Sequence, residues 1–184
     1  MPTILTHAVV PCAIGLACGR AILPRRLVAL GMLAAMLPDL DVLAFKFGIP
    51  YAHAMGHRGM THSLAFAALA GLLAGLCGKP LHARFPIASL FIFFSMASHG
   101  LLDTLTTGGL GIALLWPWSD QRFFAPVQMI RVSPIGLSRF LSERGLIVLW
   151  SEFRWVWLPC MGFALGIACW RRHRAICHEP DHHR

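Results

Sequence analysis

The chain has 184 residues, 57% of them hydrophobic and 13% charged, with a mean hydropathy of +0.64 and a formal net charge of +8. A soluble domain carries about a quarter charged residues, so this composition excludes an ordinary soluble domain and points to a polytopic membrane protein. Nor does the positive charge imply nucleic acid: its clusters, Arg25-Arg26 and Arg171-Arg172-His173-Arg174, sit beside apolar runs, where basic residues orient helices and meet anionic headgroups.

Several apolar runs reach or approach the roughly 20 residues that span a bilayer, so the expected fold is all-α, a membrane bundle of about five transmembrane helices with interfacial segments. Residues 1–170 form one domain in this reading, and 171–184 a polar basic tail. The first run extends from Ile4 to Ala21, with His7 near its outer end. No Lys or Arg precedes it, which argues against a cleaved signal peptide. Arg20, Arg25 and Arg26 make a basic loop around Pro24. A second run, Leu27 to Leu37, is stopped by Pro38 and resumes through Val42 to Phe47; Gly48 to Met60 reads as a loop carrying His53.

The third run, Leu64 to Gly78, is rich in small residues that allow close helix packing in lipid. Lys79, His82 and Arg84 form the next basic loop, and the fourth run extends from Pro86 to Leu105. Gly108 to Trp118 is apolar but too short and too broken for a span. Residues Pro126 to Gly145 look interfacial, with a short amphipathic helix expected after Pro134. The last run, Leu146 to Trp170, is interrupted by Glu152 and Arg154, which are assigned to packing or the interface. The tail is read as disordered, and its histidines His178, His182 and His183 as ordering nothing. Cys12, Cys18, Cys77, Cys160, Cys169 and Cys177 show no CxxC and lie mostly within or beside apolar runs, so they are expected to be free thiols that pack as small hydrophobes. Placing the loops at 20–26 and 79–85 and the tail in the cytoplasm puts nine of the sixteen Lys and Arg there; by the positive-inside rule the opposite loops are then extracytoplasmic.

The chemistry-bearing residues fall together on that opposite face. His57-Arg58-Gly59-Met60-Thr61-His62-Ser63 precedes the third run, and Asp39 and Asp41 follow Pro38. Ser98-His99-Gly100-Leu101-Leu102-Asp103 ends the fourth run, its i, i+4 spacing setting His99 and Asp103 on one helix face. With His7, these give four histidines and three aspartates near membrane depth, where an ionisable group costs several kcal/mol unless paired or coordinated. Gly59 is expected to let the backbone turn so that both flanking rings face one point. The N/O donor set suits zinc, manganese or iron, and is large enough for two ions. Each piece has a plainer explanation: interfacial histidines with Thr61 or Ser63 as a helix cap, Asp39 and Asp41 as helix terminators, His99 and Asp103 as an internal ion pair. The convergence of seven candidates from four segments favours the metal. No HExxH, GxSxG, P-loop or GxGxxG is present.

Thr6-His7, Leu37-Pro38-Asp39-Leu40-Asp41, the HRGMTHS stretch, SHGLLD at 98–103 and Trp116-Pro117-Trp118 with Arg122 resemble the YdjM-type family. These are bacterial inner-membrane proteins, some of them LexA-regulated, regarded as metal-dependent hydrolases. The resemblance covers Thr6 to about Pro134. It implies an inner-membrane location, metal-dependent hydrolysis, and ligand roles for His7, Asp39, Asp41, His57, His62, His99 and Asp103.

The first functional reading is therefore a membrane-bound metallohydrolase in which metal-activated water attacks an ester or phosphoester. Asp41 or Asp103 would accept the proton, and Arg58 and Arg122 would hold the anionic part of the substrate. A position at the bilayer face suggests a lipid or lipid-linked substrate. The alternatives are a metal-ion or proton transporter using the same cluster as a relay, and a scaffold in which the cluster only fixes helix packing. Transport sites tend to lie at the midplane between repeats. Here the candidates sit at helix ends and no repeat is visible, which favours the enzyme.

Overall fold

The structure is a computed structural model describing residues 1–134 and 137–177. It is a helical bundle, as required of a chain whose backbone must satisfy itself in lipid. Helix α1 (Ile4–Cys18) is followed by α2 (Arg25–Met36), which runs on into a 3₁₀ segment, Leu37–Phe47. Helix α3 (Leu64–Leu76) and α4 (Phe85–Thr104) come next, then a four-residue turn of helix, α5 (Leu137–Phe140). The last body joins α6 (Glu143–Glu152), a π-helical turn (Phe153–Trp157) and α7 (Leu158–Cys177). Among the described residues there is no strand, only isolated bridges between Thr106 and Ile130 and between Ile112 and Phe123.

Three of these bodies are long and apolar enough to cross a membrane: Arg25–Phe47 (23 residues), Phe85–Thr104 (20) and Glu143–Arg174 (32). Helices α1 and α3 are apolar but shorter, 15 and 13 residues. Local chemistry sets their ends. Gly19, at φ 79°, closes α1 by donating its N–H to the Gly15 carbonyl. Ser63 caps α3, its hydroxyl accepting the Phe66 N–H at 3.1 Å, and Pro86 stands in the first turn of α4, where a missing N–H costs nothing.

Packing follows residue size. The small residues Ala67, Gly71, Ala74 and Gly75 of α3 let α4 approach closely, with Gly71 and Gly75 facing Ser89. Leu23, Leu27, Ala74, Ala88, Phe91 and Ile92 form one apolar core and Ala67, Met96 and Ala97 a second. Leu33, Leu69, Leu72, Leu76, Leu90 and Phe94 point outward, exposed, as a bilayer-facing surface requires.

The two ends of the bundle differ. At one end lie the basic loops, and there Arg171 donates to the carbonyls of Cys18 (2.5 Å) and Leu16 (3.3 Å). These bonds cap the last turn of α1 and accompany the continuation of α7 to Cys177, past the point where the sequence suggested a disordered tail. His178, His182 and His183 lie outside the described residues. At the other end the segment after α4 folds across the bundle. Ala125 N–H donates to Thr104 (2.9 Å), Ala113 N–H to Arg58 (3.1 Å) and Leu64 N–H to Leu114 (3.0 Å). The apolar stretch Gly108 to Trp118 is thus part of a cap with Ile112 buried in it. Glu152 ties the start of α1 to this end: wholly buried, it accepts the Thr3 N–H (2.5 Å) and the hydroxyls of Thr3 and Thr6 (2.6 Å each). Cys12, Cys18, Cys77, Cys160 and Cys169 are free thiols; the side chain of Cys177 lies outside what is described.

Candidate metal centre

The polar residues gather where the capped ends of α1, α3 and α4 meet the 3₁₀ segment. His7 stands in the first turns of α1, and His99 and Asp103 occupy the last turns of α4, all three fully buried. Asp39 and Asp41 lie on the 3₁₀ segment, which at eleven residues is far longer than usual. Its three residues per turn put positions two apart on different sides. Asp39 therefore faces the helix bundle while Asp41 faces the turn at 57–62.

That turn takes its shape from two residues. Arg58 is the left-handed one, at φ 64°, in a region that a non-glycine residue occupies at a cost. Gly59 is at φ −90°; it is glycine for space, since a Cβ there would run into the Ala54 carbonyl. This corrects the expectation that Gly59 supplies the turn. Gly100 plays a matching part on α4, where a Cβ would stand 2.7 Å from the His62 carbonyl oxygen. Its absence lets α4 lie against the short 3₁₀ turn Met60–His62.

The side chains form two layers. In the inner one, donor atoms of Asp39, His62, His99 and Asp103 all lie within 4.8 Å of one another. His62 Nε2 is 3.4 Å from Asp103 Oδ2, His99 Nε2 is 3.5 Å from Asp39 Oδ1, and His99 Nε2 is 3.9 Å from Asp103 Oδ2. His7 adjoins them, its Nε2 3.7 Å from both Asp39 Oδ2 and Asp103 Oδ1 and its ring stacked on His99 at 3.7 Å. Both oxygens of Asp39 and of Asp103, and Nε2 of His7, His62 and His99, have no hydrogen-bond partner although all are buried. Unpartnered buried charge costs several kcal/mol per group.

Beyond this lies the outer layer, in which both oxygens of Asp41 are engaged. Asp41 takes the His57 Nδ1–H (2.5 Å), the Arg58 backbone N–H (3.1 Å) and the Thr61 hydroxyl (2.9 Å), and lies 3.2 Å from His62 Nδ1, whose N–H donates to the Thr61 hydroxyl oxygen at 3.1 Å. His57 is packed edge-on against Tyr51 and Phe45. Arg58, wholly buried, donates to the Gly108 carbonyl (2.7 Å) and the Thr106 hydroxyl (3.0 Å), with Nε 3.5 Å from Asp103. Arg122 donates to the carbonyls of Tyr51, His53, His57, Arg58 and Gly111 at 3.2–3.4 Å.

Sequence reasoning put seven candidate ligands at one volume; the structure brings Asp39, His62, His99 and Asp103 together with His7 alongside, and sets His57 and Asp41 one layer out. Asp39 and Asp41 are two positions apart and so point to different sides of the segment, as they would on an α-helix too, which leaves Asp41 at the Nδ1 side of the two imidazoles. Arg58 and Arg122, the expected oxyanion forks, both donate to protein oxygens, while Arg58 Nε has no hydrogen-bond partner. The Ala35 carbonyl, which accepts the His99 Nδ1–H at 2.7 Å, and the hydroxyls of Thr61 and Thr106 also serve the cluster. A backbone carbonyl leaves no trace in sequence, but the threonines stand within or just after the two motifs.

The donor set fits a cation on this geometry. His99 and His62 each give their Nδ1–H away, which leaves the Nε2 lone pairs pointing inward, the tautomer of a metal ligand held by an outer partner. A tetrahedral ion with ligand distances of about 2.0–2.1 Å separates its ligands by about 3.3–3.4 Å, close to the shorter of the inner separations. On His62, burial opposes protonation, yet the carboxylates of Asp103 and Asp41 outweigh it and raise the imidazole from 6.5 to about 9. A proton and a cation would therefore compete for the same nitrogen.

The sequence profile of the family described as "YdjM inner membrane protein" matches residues 1–176. The chain is 51% identical over 173 residues to Inner membrane protein YbcI of Escherichia coli (strain K12), covering 94% of this chain and 99% of that protein. It is 33% identical over 142 residues to Inner membrane protein YdjM of Escherichia coli (strain K12) and of Shigella flexneri, covering 72% of this chain and 66% of each. No solved structure matches it.

Proposed function

The chain belongs to the YdjM family of inner membrane proteins, and from that premise we propose that it is a membrane-bound, metal-dependent hydrolase acting on an ester or phosphoester of a lipid or lipid-linked substrate. The observation that carries this reading is the set of buried, inward-facing and unpartnered donor atoms on Asp39, His62, His99 and Asp103. These four would hold a divalent ion, for which an N/O set favours zinc, with manganese or iron as the other fitting metals. Bound there, the ion supplies Lewis acidity to the scissile carbonyl or phosphoryl group and acidifies water.

The chain's own residues do the rest. Asp41, supported by His57 and Thr61, fixes the ring of His62, and the Ala35 carbonyl fixes that of His99. Arg58 holds Asp103 and the capping loop in register. His7 is the one imidazole of the inner group with neither nitrogen hydrogen-bonded. Its Nε2 is placed to take a proton from the attacking water. The second oxygens of Asp39 and Asp103 both face His7 Nε2, so a second ion would be held there and would make His7 a ligand.

The site sits at the end of the bundle away from the loops at 20–26 and 79–85, and our reading puts those loops in the cytoplasm and the site on the extracytoplasmic face. Between the two ends lies an apolar cluster of Leu23, Leu27, Ala88, Phe91 and Ile92, which contains none of the ionisable side chains from which a transporter builds a relay. Metal analysis of detergent-purified protein, paired with a hydrolase screen on phospholipids and phosphoesters, tests the proposal. Expected is at least one ion per chain, with turnover lost on chelation and restored by the metal. Protein that stays metal-free after zinc, manganese and iron are offered would leave the scaffold reading standing.

A further inference from the structure

A cleft of about 430 Å³ opens beside the metal centre, walled by Pro2, Leu5, Leu40, Val42, Pro134 and Phe140, with Asp39 in its wall. Asp39 is the single charged side chain lining it, and belongs to the inner donor group as well. Of the polar groups nearby, the Thr3 hydroxyl donates to Glu152 at 2.6 Å and the Ser133 N–H to the Met1 carbonyl at 2.9 Å. The flanks of the cleft, Leu5 and Leu40, are 58% and 52% exposed on the outer surface of the bundle. Exposed leucines at its edge are what an opening toward lipid would present.

We propose that this cleft holds a hydrocarbon chain of the substrate, so that the molecule cut is a long-chain lipid whose scissile ester or phosphoester lies at the head of that chain, against Asp39. The cleavage half of this statement rests on the hydrolase reading; the chain-binding half does not. A lateral mouth lets a lipid tail leave its neighbours and enter without crossing water, and leucine-lined walls are as apolar as the tails it leaves. Occupancy by the tail fixes the depth of the bond that follows it. The volume is that of an ordinary small-molecule site, enough to position one chain and not a folded partner.

The test uses the full chain in nanodiscs of phosphatidylethanolamine and phosphatidylglycerol, with a phosphatidylglycerol carrying a photoactivatable diazirine on one acyl chain. After irradiation, labelling is mapped by mass spectrometry. Expected is preferential labelling of Met1 to Leu5 and Leu40 to Val42 over the outward Phe163 and Leu165 of α7. Leu5→Trp and Val42→Trp, on different elements and neither in the metal centre, should each lower the cleft labelling by about tenfold or more through filling an apolar pocket. Both should keep full metal content, which separates loss of the cleft from misfolding. With any phosphoester that is turned over, kcat/KM should rise with chain length in the unsubstituted protein and flatten in Val42→Trp. Labelling spread evenly over cleft and α7, or unaffected by either tryptophan, overturns the chain site. Even labelling with metal-dependent turnover of short, soluble phosphoesters removes the chain site and leaves the hydrolase reading. Cleft-specific labelling in a protein that takes up no metal does the reverse.

Discussion

The inner and outer layers of the polar cluster are made of the same residue types, histidine and aspartate, yet they stand in opposite hydrogen-bonding states. Asp41 is satisfied by protein, accepting from His57, the Arg58 backbone and Thr61. Asp39 and Asp103 are at least as deeply buried, yet accept nothing. A fold that can satisfy one aspartate three times over does not lack donors. The two others are bare, opposite three bare imidazole nitrogens, an arrangement that could hold a metal ion. The outer layer is what a structural polar network looks like, and the inner layer differs from it in the way a cation requires.

Breaking the inner layer should have the largest effect. His62→Ala and Asp103→Ala are expected to remove metal and turnover together, by more than the ~10–100-fold that loss of an outer partner brings, while far-ultraviolet circular dichroism keeps its helical signal. Full metal occupancy in His62→Ala would erase the distinction between the layers. Arg58→Ala comes next and acts on stability. It strips Asp103 of its cation and leaves the Gly108 carbonyl without its donor, a loss of about 3–5 kcal/mol for breaking a buried charge pair. It should appear as a large fall in the thermal midpoint in detergent. Asp41→Asn and His57→Ala should be milder, retaining metal stoichiometry at saturation but weakening affinity ~10–100-fold, as read by competition with a chelating dye. If His57→Ala instead lost one ion per chain outright, His57 would belong with the ligands.

Sequence made some of this legible, and the reasons are local. The runs beginning at Leu64 and Pro86 match α3 and α4 to within two residues because Ser63 caps one and Pro86 starts the other. The i, i+4 pair His99 and Asp103 needs nothing beyond helical geometry to share a face. What was not legible depends on distance. Asp39 and Asp41 point to different sides at either helical pitch, but the sequence does not place the turn at 57–62 against one side and the bundle against the other, so the two looked interchangeable. The left-handed φ of Arg58, which tucks its guanidinium inward, contradicts the usual behaviour of an arginine beside a membrane segment. The bond from Thr3 to Glu152 joins residues 149 apart, and the cap over the site is built from irregular backbone in which no periodicity marks the partners.

The smallest effect belongs to Arg122, and it decides whether an outer-layer arginine does more than hold a loop. Its bonds are all to backbone carbonyls and all long, 3.2–3.4 Å, and its guanidinium also lies over the Tyr51 ring at 6.0 Å. Those carbonyls can turn to water when the side chain is removed, so Arg122→Ala should cost about 1 kcal/mol, the ordinary net contribution of a hydrogen bond. It should loosen the segment from Tyr51 to His57, seen as faster backbone amide exchange there, with metal content unchanged. Turnover of the best phosphoester from the screen should fall only a few-fold, because the guanidinium is held away from the inner donors by the backbone it binds. A collapse of turnover with metal intact would mean that Arg122 leaves those carbonyls when substrate arrives and grips its anionic group, as its sequence position first suggested. Arg122→Lys separates the two outcomes further: a lysine keeps the charge but cannot span five carbonyls in a fork, so it should behave like the alanine variant if the role is structural and recover turnover in part if the role is to hold an anion.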